Sequence, residues 1–112
     1  MSKDLAISIF EVTSSPLCVA SDDGQKVYDR LALAMQAKRS VALSFRNVTT
    51  LTTVFLDTAI GQLYSVFSEE QIRSLLKVQD MQADYLVLLK RVIETAKLYF
   101  KEPRKPHWAV GR

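Results

Sequence analysis

Ser40-Val-Ala-Leu-Ser-Phe-Arg-Asn-Val-Thr-Thr-Leu-Thr-Thr-Val-Phe-Leu-Asp-Thr-Ala-Ile-Gly-Gln-Leu-Tyr-Ser-Val-Phe67 is the stretch on which the fold turns. Val41 to Phe45 is a short, mostly apolar run of the kind that forms a buried strand. Four threonines, Thr49, Thr50, Thr52 and Thr53, follow at the strand-to-helix junction. Leu56, Ala59, Ile60, Leu63 and Phe67 then recur at helical spacing and predict one long amphipathic helix. A helix N-terminus presents unpaired N–H groups and a partial positive charge. A hydroxyl placed there either caps the helix or receives a phosphate, and spacing alone leaves both open.

Upstream, Asp4 to Val12 sets Leu5, Ile7 and Ile9 against Ala6 and Ser8, the period of a half-buried strand. Thr13-Ser14-Ser15-Pro16 is turn chemistry, and Leu17-Cys18-Val19 is a candidate second strand in a hairpin with the first. Ser21 or Asp22 is the expected cap of a helix with Val27, Leu31, Ala34 and Met35 on one face. Downstream, Ser68 and Gln71 fit a capping box opening a short helical turn. Leu75 to Val78 reads as a strand. Gln82 to Phe100 reads as the longest helix, with an apolar arc broad enough for two packing partners, the second being a neighbouring helix or another subunit. The expected fold is α/β, with a small mixed sheet of about four strands and three main helices. Residues 1–102 form the single expected domain and residues 103–112 a basic C-terminal tail.

The 112 residues suffice for one core. No apolar run approaches the roughly 18 residues of a membrane span. The first residues lack the apolar stretch of a signal peptide, so a cytoplasmic protein is expected. Cys18 is the one cysteine and, between Leu17 and Val19, reads as a small buried hydrophobe. The net charge of +3 is uneven: the last 23 residues are basic, the body before them mildly acidic. There is one histidine, His107, and the three glycines, Gly24, Gly61 and Gly111, make no phosphate-binding loop. No Cys/His cluster has metal spacing. The expectation is a non-enzymatic protein without a cofactor.

Val41–Phe45, the turn Asn47-Val48-Thr49, the pair Thr52-Thr53, and the run from Leu56 through Ile60-Gly61-Gln62-Leu63 together resemble the signature of STAS-like domains. That group is related to bacterial anti-sigma-factor antagonists and to sulfate-transporter tails. In its pattern an apolar strand ends in an Asp/Asn-apolar-Ser/Thr turn, and a polar pair opens a helix with Leu-Gly-x-Leu character. Gly24 and the triplet Phe55-Leu56-Asp57 fit the STAS-like group of unknown function. The resemblance covers roughly residues 20–100 and implies the STAS-like form of the α/β fold. It puts Thr53 where the antagonists carry their phosphoacceptor hydroxyl, and Thr52 where they carry an Asp. It further implies a partner-binding surface of Asn47, Thr49, Thr50, Thr52, Thr53 and Asp57, and an ATP-binding kinase of the anti-sigma type as the protein partner.

The tail supplies alternatives. Lys101, Arg104, Lys105, Trp108 and Arg112 combine positive charge with an aromatic, a composition able to contact nucleic acid. Trp108 packing back onto the domain and docking to an acidic protein or a second subunit explain the same residues. A homodimer through the last helix is the third possibility.

Overall fold

The computed structural model describes residues 4–101. Its elements run β1 (Leu5–Ser8), α1 (Ile9–Thr13), β2 (Leu17–Cys18), α2 (Ser21–Gln36), β3 (Val41–Ser44), β4 (Thr50–Leu51), α3 (Thr53–Ala59), a 3₁₀ segment (Gly61–Ser65), α4 (Glu69–Leu75), β5 (Leu76–Gln79) and α5 (Ala83–Lys101). β1, β3 and β5 form one sheet in that order, and β2 pairs with β4 in another. Every pairing is parallel, with Leu5 and Leu76 flanking Val41, and Ile7 and Val78 flanking Leu43. The α/β class and STAS-like form stand, with the expected small sheet realised as three parallel strands and a separate parallel pair.

Strand alternation explains how the sheet meets the helices. Val41 and Leu43 are fully buried with Ile7 on the face turned to the core, while Ala6, Lys77 and Gln79 on the opposite face are exposed. The core joins these strand residues to Val27, Leu31 and Met35 of α2, Phe55, Leu56 and Ala59 of α3, and Leu89 and Val92 of α5. Full burial of such side chains stabilises by about 1.5–3 kcal/mol each. Gly24 shows how tightly α2 meets α3: a Cβ there would lie 2.7 Å from the Phe55 carbonyl oxygen and 2.9 Å from the Thr58 Cβ.

Four local expectations are corrected. The first strand stops at Ser8, because its Oγ accepts from the Glu11 N–H and caps α1, so Ile9 and Val12 are helical. β2 pairs with β4 rather than in a hairpin with β1. The helix after Thr53 does not run to Phe67. It ends at Ala59, where the Thr58 hydroxyl bonds back to the Val54 carbonyl (3.1 Å) and a glycine follows. Gly61 then faces α5, with Val92 Cγ1 and Ala96 Cβ 3.7 and 3.8 Å from where its Cβ would be, ordinary contact distances. Finally, α2 is capped by Ala20, without a side-chain bond, and Asp22 and Asp23 lie in its first turn, at the positive end of the helix.

Ser68 does cap α4, accepting from the Gln71 N–H at 3.1 Å, and the helix extends for seven residues. The Gln71 side chain does not return to Ser68. It donates to the Met35 carbonyl (3.2 Å) and ties α4 to the end of α2. Glu69 bridges Arg73 and Lys97, both at 2.9 Å, and these two cations hold its carboxyl below the usual range. Leu89, Val92 and Ala96 are the buried face of α5, whereas Leu86, Val87, Leu98 and Tyr99 are exposed. No helix among the described residues is long and apolar enough to cross a membrane.

Candidate functional site

β3 ends at Ser44 and the chain turns through Arg46 and Asn47, the latter at a left-handed φ of 71°. Asn adopts that region more readily than most residues. The chain then crosses to the β2 segment, where the Pro16 carbonyl accepts from the N–H groups of Thr49 (2.8 Å) and Thr50 (3.3 Å). The Thr52 N–H donates to the Cys18 carbonyl at 3.2 Å. Thr49, Thr50 and Thr52 are thereby stitched to the chain before α2. β-branched residues suit the extended backbone required.

The threonines at this junction have different surroundings. Thr52 is the N-cap of α3: its Oγ1 accepts from the Phe55 N–H (3.3 Å) and donates to the Val19 carbonyl (3.3 Å). Thr49 donates its hydroxyl to the Pro16 carbonyl at 3.3 Å. Thr50 is half-buried in β4. Thr53, the first residue of α3, is exposed, and its hydroxyl has no hydrogen-bond partner among the described residues. Asp57, one turn further, is also exposed. Leu17, Val19 and Val54, which composition did not single out, are exposed by 50%, 45% and 52% around this junction.

Directly beneath lies Cys18, fully buried; burial first, and the Asp23 charge second, push its thiol up to about 11. It is a core residue, as its neighbours in sequence led one to expect.

A cleft of about 300 Å³ opens between the loops after β3 and β5. Arg46, Asn47, Asp80, Gln82 and Tyr85 supply its polar lining. Asp80, like Asn47, is left-handed, at φ 61°. The Ser44 hydroxyl donates to Asp80 Oδ2 (2.8 Å) and accepts from the Arg46 N–H (3.2 Å), so one serine joins both loops. The Tyr85 hydroxyl donates to the Thr49 carbonyl at 3.3 Å, fastening α5 to the threonine-rich segment. Nothing in the local sequence pairs Ser44 with Asp80, and only the parallel register of β3 and β5 brings them together.

The six expected surface residues thus separate into two groups. Asn47 lines the cleft, while Thr49, Thr50, Thr52, Thr53 and Asp57 follow the β4–α3 junction. Lys101 is the last residue of α5, and Arg104, Lys105, His107, Trp108 and Arg112 lie outside the described residues. No group of three or more His, Cys, Asp or Glu among the described residues is placed to hold a metal ion.

A family profile described as a STAS-like domain of unknown function (DUF4325) matches residues 23–86, more than half of the chain. The chain belongs to that family. The matched part of this STAS-like domain runs from the first turn of α2 to the first turn of α5, and contains β3, the threonine junction and the whole cleft. No curated protein matches the chain, and no solved structure does.

Proposed function

We propose that this STAS-like domain is a non-enzymatic regulatory module of the cytoplasm that works by binding another protein, with the Thr49–Asp57 junction as its contact surface and Thr53 as a phosphate acceptor. One observation carries the proposal. Thr53 offers an exposed hydroxyl with no partner among the described residues, while the hydroxyls of Thr49, Thr52 and Thr58 are each committed to a backbone carbonyl. The exposed Leu17, Val19 and Val54 give the surrounding surface an apolar character suited to a protein contact.

The unmodified face binds its partner. A phosphate on Thr53 adds about −1.5 to −2 charge and a hydration shell in the middle of that face, and binding is lost through desolvation cost and repulsion. The Thr53 hydroxyl bonds to nothing among the described residues, so the modification breaks no contact described in the domain. The resemblance to anti-sigma-factor antagonists suggests an ATP-binding kinase of that type as partner. Thr52, in the position of the antagonists' Asp, is here a neutral cap.

The test is affinity purification of the full chain from its native host, with mass spectrometry of the partners and of the tryptic peptide Asn47–Arg73. An ATP-binding kinase captured by the unmodified chain, with phosphate confined to Thr53, is the expected result. A captured partner that binds Thr53→Asp as tightly as the wild type removes the switch.

A second reading has its own support. Leu86, Val87, Leu98 and Tyr99 leave α5 with 47%, 62%, 70% and 75% exposure of large apolar side chains. Self-association through α5 would make the mass in solution rise with concentration, and Leu98→Glu would suppress the rise.

A further inference from the structure

The cleft after β3 and β5 is not needed by the proposed threonine switch, yet it has the features of a ligand site. Its volume of about 300 Å³ lies at the small end of ligand pockets. It sits at the carboxyl ends of two neighbouring parallel strands, between the loops that leave them. Its walls carry opposite charges, Arg46 from the loop after β3 and Asp80 from the loop after β5. The two do not pair with each other, and neither forms an ion pair with any other described residue.

The Asp80 carboxylate is held in place: Oδ2 accepts from Ser44 Oγ at 2.8 Å, which leaves Oδ1 for another donor. Tyr85 is held likewise through its bond to the Thr49 carbonyl, with its ring against the cleft. A simple anion would meet the repulsion of Asp80, and a simple cation that of Arg46. A ligand carrying both signs a few bonds apart satisfies both walls.

We propose that this cleft binds a small zwitterion of the α-amino-acid class. Arg46 takes the carboxylate through its planar fork, Asp80 takes the ammonium, and an apolar side chain lies against Met81 and Tyr85.

Titration of the full chain, followed by ¹H–¹⁵N NMR, tests this with L-phenylalanine, 3-phenylpropionate, which lacks the ammonium, and phenethylamine, which lacks the carboxylate. The expected result is saturable shifts confined to residues 45–51 and 79–85 with L-phenylalanine. Each singly charged analogue should bind at least about tenfold more weakly, the loss of one charge-assisted contact. Arg46→Ala should erase the preference over phenethylamine, and Asp80→Asn the preference over 3-phenylpropionate. Asn tolerates the left-handed conformation at position 80, so the loop is kept. If L-phenylalanine, L-leucine and L-methionine cause no shifts at millimolar concentration, the proposal is wrong. Equal binding of the two analogues and phenylalanine overturns it as well.

Discussion

Thr52 and Thr53 are chemically identical neighbours with unlike surroundings, and substitution should separate them. Thr52→Ala removes the acceptor of the Phe55 N–H and the donor to Val19. It should cost about 0.5–2 kcal/mol, as loss of an N-cap does. Thr53→Ala removes a hydroxyl that bonds to nothing described and should stay within about 0.5 kcal/mol. Urea unfolding of both variants checks the contrast. Cys18 gives a prediction in pH. Its folded value of about 11 exceeds the ordinary 9.0, so between them the native state keeps a proton that the unfolded chain has lost. Its stabilising contribution is complete below pH 9 and disappears as pH rises through 11; Cys18→Ala should flatten the measured decline over that range. At pH 8 iodoacetamide should label Cys18 only after denaturant is added. The burial of Cys18 was legible from the apolar residues on either side. Which threonine caps α3 was not, because the choice depends on the Val19 carbonyl, 33 residues earlier in the chain.

Among the elements, α2 and α3 pack tightly at Gly24. Gly24→Ala would normally strengthen a helix by about 1 kcal/mol, but the added methyl would press on the α3 backbone at Phe55. The clash should win, with a net loss of about 1–3 kcal/mol and an unchanged far-UV spectrum below the transition. Thermal unfolding followed by circular dichroism measures it. The face of α2 was legible because Val27, Leu31, Ala34 and Met35 repeat at helical spacing, whereas the apolar arc of α5 was too broad to mark Leu89, Val92 and Ala96 as its buried side. Two other features were not legible. The α3 break, where the Thr58 hydroxyl bonds back to its own helix, falls inside an unbroken run of helical apolar spacing. The first strand and the short α1 share a continuous apolar–polar pattern, and only the Ser8 cap divides them.

At the scale of the molecule, β3 is the central strand, paired on both sides, whereas β1 and β5 each have one partner. Native-state hydrogen exchange should therefore be slowest at Ala42 and Leu43 and faster in the two-residue strands β2 and β4. Comparable rates in β3 and β4 would contradict this placement of the core. The layer of helices on a sheet was legible from the alternation of strand-like and helix-like segments, which favours parallel crossovers. The charged cleft was not, since its two walls come from turns whose residues carry no joint motif. The parallel register also bears on how the protein is made. Every pairing joins residues about 35 positions apart. A ribosome adding about 5–20 residues per second therefore extrudes β3 seconds before β5. During that interval the most deeply buried strand of the protein has one edge without its mate, and the emerging chain is most exposed to aggregation or chaperone capture while residues 45–79 are still being translated.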